Sequence, residues 1–144
     1  GDTYARGLGS CKSWLERKLR TVSKHVRFLG QLDRRDINEA YRKSWVVIVP
    51  SKWDTSPTAV LEAMQREKAI VASPYGGMSE YLQGTENRIE HPKNPQFAEA
   101  VVYFLKDEVS RISAGRKGKE KSIREYSPEV CANRYIEFLN RSIL

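Results

Sequence analysis

Apolar positions along the chain alternate between continuous runs and helical spacing. Trp45–Val49 is an unbroken β-branched and aromatic run, the pattern of a strand covered on both faces in a parallel sheet. Ala69–Ser73 is a second apolar strand, and Val26–Leu29 and Arg88–Glu90 read as shorter ones. Between them the spacing changes. From Cys11 to Val22, Leu15, Leu19 and Val22 recur as on a helix; Asp33–Ser44 forms another, with Ile37, Ala40 and Tyr41 as its core side. Ser56 as N-cap and Pro57 as first helical residue open a helix that carries the apolar run through Met64. Pro74-Tyr75-Gly76-Gly77 turns into a short helix, Met78–Leu82, and Asn94-Pro95 starts one through Leu105, with Phe97, Val101, Val102 and Phe104 or Leu105 inward. Glu108–Glu125 is polar and basic and reads as a surface helix or two. Ser127-Pro128-Glu129 begins a closing amphipathic helix with Val130, Tyr135, Ile136, Phe138 and Leu139. Gly1–Ser10 reads as loop. Strands alternating with helices predict an α/β fold: a Rossmann-like parallel sheet with helices on both faces, four strands being visible.

Composition sharpens this picture only a little. At 144 residues and 40% hydrophobic content, the chain is one domain's worth and can bury a core. The net charge of +7 favours acidic partners: nucleotides, nucleic acid or an anionic membrane face. Between Lys12 and Lys43 ten Lys or Arg stand against four acids, yet the aromatic residues that would stack bases are not interleaved with these charges in an RNA-binding pattern, so no nucleic-acid partner is expected. Peripheral contact with anionic phospholipid is a further reading of the basic stretch Arg111–Arg124. No apolar run reaches spanning length and the start lacks a signal-peptide pattern. Cys11 and Cys131 form neither a metal nor a disulfide pattern. A soluble protein of the reducing cytoplasm, or of the inner face of its membrane, is the expectation.

The chemistry concentrates around Asp54–Met64. The N–H groups of Thr58, Ala59 and Val60, at a helix start beyond the carboxyl end of a parallel strand, form an anion site that suits phosphate. Asp54 precedes that helix, and Glu62 lies on the same face as Thr58, one turn on. One carboxylate offers two acceptors for neighbouring ribose hydroxyls, so the combination points to a sugar nucleotide. Pairing of Glu62 with Arg66 at i,i+4, and capping by Asp54 or Ser56, account for the same residues without a ligand. Gly76 and Gly77 before a helix allow close backbone approach to a phosphate. His91 has no partner motif and reads as a loop residue.

These residues resemble the retaining glycosyltransferases of family 4, also called group 1, which have two Rossmann-like domains in the GT-B arrangement. Their C-terminal domain carries Pro-Ser, then a Glu, seven residues, and a second Glu within Leu-Glu-Ala-Met; here these are Pro50-Ser51, Asp54 and Leu61-Glu62-Ala63-Met64. Val26-Arg-Phe-Leu-Gly30, Ala69-Ile-Val-Ala-Ser73 and Gly76-Gly77-Met-Ser-Glu80 match the flanking segments in order, so the likeness runs from about Val26 to Leu144. The resemblance implies a donor site for a UDP- or GDP-sugar. Asp54 would contact the transferred hexose and Glu62 would hold the ribose. Ser56, Thr58 and Ala59 lie at the phosphates with Gly76 and Gly77, and Gly30 and Gln31 beside the base. It also implies metal-independent transfer to a glycan, lipid or small-molecule acceptor, in polysaccharide or glycoconjugate biosynthesis.

Two positions depart from the family. Asp54 is one methylene shorter than the usual Glu, and Thr55-Ser56-Pro57 replaces a Gly-Phe-Gly loop, which removes an amide donor at Pro57. The resemblance places an acceptor-binding N-terminal domain, the first strands of this one and a diphosphate-gripping Arg and Lys upstream of Gly1, so the chain alone is expected to be inactive. The competing readings are a non-enzymatic nucleotide-binding Rossmann-like domain and a basic nucleic-acid or membrane-surface module.

Overall fold

The computed structural model describes residues 4–5 and 9–142. It divides into two compact units, Gly1–Glu39 and Ala40–Leu144. In the first, β1 (Tyr4–Ala5) and β2 (Gly9–Ser10) pair antiparallel within the segment read as loop. Helix α1 (Cys11–Lys18) follows, capped by Ser10 Oγ, which accepts the Ser13 N–H at 3.2 Å. The expected helix to Val22 is shorter than its periodicity implies, because the chain tightens into a 3-10 turn over Arg20–His25. Val26–Leu29 is not a strand. Val26 is extended, but the segment joins no ladder among the described residues, and Val26, Phe28 and Leu29 are exposed. An apolar run becomes a strand only where backbone partners and a covering layer exist, and periodicity reports neither.

Helix α2 (Arg34–Lys43) crosses the boundary between units, its start capped by Asp33 Oδ1, which accepts the Asp36 N–H at 2.8 Å. The second unit then runs β3 (Val46–Val49), α3 (Thr58–Gln65), β4 (Ala69–Ala72), α4 (Met78–Leu82) and β5 (Arg88–Ile89). Helices α5 (Pro95–Lys106), α6 (Glu108–Tyr126) and α7 (Pro128–Ser142) complete it. The three strands form a parallel sheet in the order β3-β4-β5, with Val46 opposite Ala69 and Val71 opposite Arg88.

Strand β4 lies at the centre and all four of its residues are fully buried. Ile70 and Ala72 face a cluster with Val60, Ala63, Met64, Met78 and Leu82. Ala69 and Val71 face the opposite one, with Ala100, Phe104 and Ala114. Helices therefore cover both sides, as the α/β reading requires. The expectation that the run at β3 is buried on both faces is corrected: Trp45 is exposed and Ile48 remains 47% exposed, and among the described residues β3 pairs with β4 alone.

In α5, Ala100 and Phe104 are buried while Val102 and Leu105 stay exposed, so only part of the expected inward set is used. Helix α6 is one continuous helix and not merely superficial. Ala114, Gly115 and Gly118 are buried, and a Cβ on Gly115 would stand 2.2 Å from the Glu67 carbonyl oxygen. Small residues at this spacing let two backbones meet, a role that composition alone conceals. The basic side chains of α6 have protein partners: Lys117 pairs with Glu86, Lys119 with Glu67 at 2.7 Å, and Lys121, 8% exposed, donates to the carbonyls of Glu80 (2.6 Å) and Gln83 (3.0 Å). Helix α7 starts as the sequence predicts, Ser127 Oγ accepting the Val130 N–H at 3.4 Å, and has no buried residue. No described helix is long and apolar enough to cross a membrane.

Candidate functional site

The loop between β3 and α3 carries Asp54 and leads into the helix start, and Glu62 follows within α3. Pro57, buried, is the N-cap of α3, one residue later than predicted, and it has no side-chain capping bond. Ser56 is therefore not the cap. Its N–H donates to Asp54 Oδ1 at 3.1 Å and its hydroxyl lies 3.1 Å from Tyr81 Oη. Asp54 thus closes an Asx turn on its own loop, a common use of a short carboxylate. Of the three N–H groups expected to be free, Val60 bonds back to the Pro57 carbonyl at 3.0 Å. Those of Thr58 and Ala59 have no acceptor among the described residues. The helix tip keeps two donors that no described residue engages.

The glycine pair has a structural task that sequence reasoning missed. Gly76 has φ +62°, and a Cβ there would stand 2.0 Å from the Asp54 carbonyl oxygen. Gly77 donates its N–H to that same oxygen at 2.9 Å, and a Cβ on it would meet the Thr55 carbonyl at 2.6 Å. The turn after β4 therefore clamps the loop after β3, backbone against backbone. A second tie comes from buried Ser73, whose hydroxyl donates to the Ser51 carbonyl at 2.5 Å. The close approach assigned to a phosphate is occupied, at least on this side, by the Asp54 loop.

Glu62 is half-buried on α3, and its Oε2 accepts the Tyr41 hydroxyl at 3.1 Å. Burial first, then the charge and hydrogen bond of Glu62, push the Tyr41 phenol up from 10.0 to about 12. Tyr41 stays protonated and donates throughout the ordinary pH range. Arg66 lays its guanidinium over the Tyr41 ring, 4.9 Å from the centroid, and donates Nη1–H to the Glu62 backbone carbonyl at 2.8 Å. The carboxylate is thus oriented by a residue 21 positions earlier in the chain, which no local pattern could indicate.

The predicted residues fall into groups. Asp54, Ser56, Gly76 and Gly77 are joined in one loop cluster, while Glu62 is held separately through Tyr41. Gly30, with φ +70°, and Gln31 are exposed residues of the other unit. Beyond the loop cluster, His91 and Tyr75 are in ring contact at 5.5 Å, edge to face, although the sequence marks them only as turn and loop positions. Among the described residues, no three His, Cys, Asp or Glu side chains are grouped as a metal site.

Comparison with known proteins adds an independent line. Residues 11–121 match the family model described as glycosyl transferases group 1. An uncharacterised glycosyltransferase of Methanocaldococcus jannaschii is 27% identical over 109 residues, 74% of this chain and 31% of that protein. The N,N'-diacetylbacillosaminyl-diphospho-undecaprenol alpha-1,3-N-acetylgalactosaminyltransferase of Campylobacter jejuni is 28% identical over 120 residues, 82% of this chain and 31% of its own length. The chain thus spans about a third of these curated relatives. Among solved structures, sucrose-phosphate synthase from Thermosynechococcus elongatus superposes with a TM-score of 0.81 at 21% identity, covering 92% of this chain and 34% of that one. The C-terminal domain of a group 1 protein (LpcC) from Francisella tularensis gives 0.72 at 24% identity, covering 81% and 63%. Both likenesses concern the fold, which is that of GT-B glycosyltransferase domains.

Proposed function

The chain belongs to the glycosyl transferases group 1 family, and from that premise we propose that it is the donor-binding part of a retaining glycosyltransferase using a nucleotide-diphosphate sugar. The observation that carries this reading is the tip of α3. Two unclaimed amides, of Thr58 and Ala59, stand a turn before a carboxylate that Tyr41 holds in place. The amides and the helix dipole favour the donor diphosphate, and increasingly so as charge collects on it during departure. Glu62 has one oxygen engaged by Tyr41 and a second available to ribose hydroxyls.

Asp54 contacts the hexose in this reading, after exchanging its hydrogen bond to the Ser56 N–H for a sugar hydroxyl. Gly76 and Gly77 hold the loop that presents it. Transfer proceeds without a metal, protein cations and the helix end stabilising the leaving diphosphate. The donor is a UDP- or GDP-sugar, and the acceptor is a glycan, a lipid or a small molecule. A lipid-linked acceptor finds support in the Campylobacter jejuni relative, whose name specifies a sugar on diphospho-undecaprenol.

Calorimetric titration with UDP and with GDP tests the site apart from turnover. One of the two nucleotides binds, and Glu62→Ala lowers its affinity by about tenfold, as expected for loss of a charged hydrogen-bond acceptor. Equal affinity of wild type and variant overturns the assignment of Glu62.

A further inference from the structure

A second place for a ligand lies beside the loop cluster. Past the carboxyl ends of all three parallel strands an open cleft of about 390 Å³ is lined by Pro50, Lys52, Tyr75, His91, Pro92 and Lys93. Pro50 follows β3, Tyr75 comes soon after β4 and His91 soon after β5, so each strand end supplies a wall. Crevices outside the carboxyl ends of such strands are where open α/β sheets bind ligands, and this volume falls within the range of small-molecule sites.

The cations of this cleft differ from those of α6 that the protein itself engages. Lys117, Lys119 and Lys121 all meet protein oxygens. Lys52 and Lys93, by contrast, have no acceptor for their ammonium groups among the described residues, and no carboxylate lines the cleft with them. His91 is oriented from two directions. Its Nδ1 accepts the Lys93 backbone N–H at 3.2 Å, and its ring stands against Tyr75 with 78° between planes. With Nδ1 accepting, the ring proton sits on Nε2, a third donor beside two ammonium groups. The two prolines and the Tyr75 ring add apolar surface. Clustered cations, a fixed N–H and an uncharged wall suit an anion attached to a ring, and the absence of any acidic side chain disfavours a cation.

We propose that this cleft binds the phosphate ester of a phosphorylated saccharide, Lys52, Lys93 and His91 receiving the phosphate and Tyr75 with the prolines receiving the sugar. Neither Asp54 nor Glu62 lines it, and the variants below distinguish it from the proposed nucleotide site. That the bound ester serves as acceptor rests on the transferase reading above; the binding does not.

The test titrates glucose 6-phosphate into the 144-residue chain, followed by the amide shifts of Tyr75, His91 and Lys93, alongside the calorimetric titration of UDP and GDP. Glucose 6-phosphate saturates these shifts in the wild type. Lys52→Ala with Lys93→Ala weakens it by about tenfold or more, Lys52→Arg with Lys93→Arg retains it, and Glu62→Ala leaves it unchanged. Both lysines are exposed, and circular dichroism confirms that the variants fold. Unsaturable shifts, or equal binding by the alanine variant, overturn the proposal. So does a parallel loss of nucleotide affinity in that variant, which would merge the cleft with the donor site while leaving the donor reading intact. Phosphatidylcholine vesicles with and without phosphatidic acid separate the sources: sugar-phosphate binding accompanied by lysine-dependent vesicle capture supports a lipid-linked ester, and without capture a soluble one. Capture without glucose 6-phosphate binding overturns the saccharide assignment.

Discussion

Strands β3 and β4 look alike as sequence, four apolar residues each, and differ sharply in the folded protein. In β4 every side chain is buried, because helices cover both faces and a strand lies on either side. In β3 one edge carries no partner among the described residues, and Ile48 stays half exposed. Position in the sheet, not composition of the run, sets how much each residue contributes. The loops that follow the two strands are nonetheless interdependent: the glycine turn after β4 shapes the Asp54 loop after β3. The central strand thus anchors the edge at which the candidate chemistry sits.

The largest effect should come from breaking the buried member. Ile70→Ala removes a fully buried side chain and is expected to cost about 2–5 kcal/mol, measured by urea unfolding. Gly76→Ala attacks the link between the strands. A Cβ in that left-handed position, aimed at the Asp54 carbonyl, is expected to destabilise by about 1–3 kcal/mol and to weaken nucleotide binding as the loop shifts. A smaller change follows from Tyr41→Phe, which removes a hydrogen bond to Glu62 worth about 0.5–1.5 kcal/mol. Because the folded-state value of Tyr41 is raised, its contribution is complete below pH 10 and declines as pH rises toward about 12. Unfolding curves of wild type and Tyr41→Phe should therefore converge over that interval. Ile48→Ala closes the comparison: as an exposed residue of the edge strand it should change stability by about 0.5 kcal/mol or less. A cost approaching that of Ile70→Ala would mean that another chain segment covers the β3 edge.

Much of the fold was legible because its signals are local. The turn at Pro74–Gly77 and helix Met78–Leu82 follow from glycine placement, and the start of α7 from Ser127 and Pro128. Ala69–Ala72 is a strand where the run predicts one. Other positions were misread because their outcome depends on neighbours. Val26–Leu29 has strand composition without a ladder, Ser56 gives up the cap to Pro57, and the polar sequence of α6 hides a face of alanine and glycine. At the candidate site, Asp54 and Glu62 were visible through their spacing around a helix start. Tyr41, which orients Glu62, was visible only as an apolar-side residue of another helix.

By itself the sequence determined the alternation of strand and helix, the helix start at the end of β3 and the family to which these motifs belong. Each of those depends on residues close together in the chain, where periodicity, proline geometry and glycine freedom act directly. Tertiary structure alone decided which apolar run became the centre of the sheet, which oxygen each glycine and tyrosine would meet, and that Lys52, Lys93 and His91 would border one cleft. Those outcomes need segments far apart in sequence to be brought within hydrogen-bonding or van der Waals distance, and only packing of the whole unit does that.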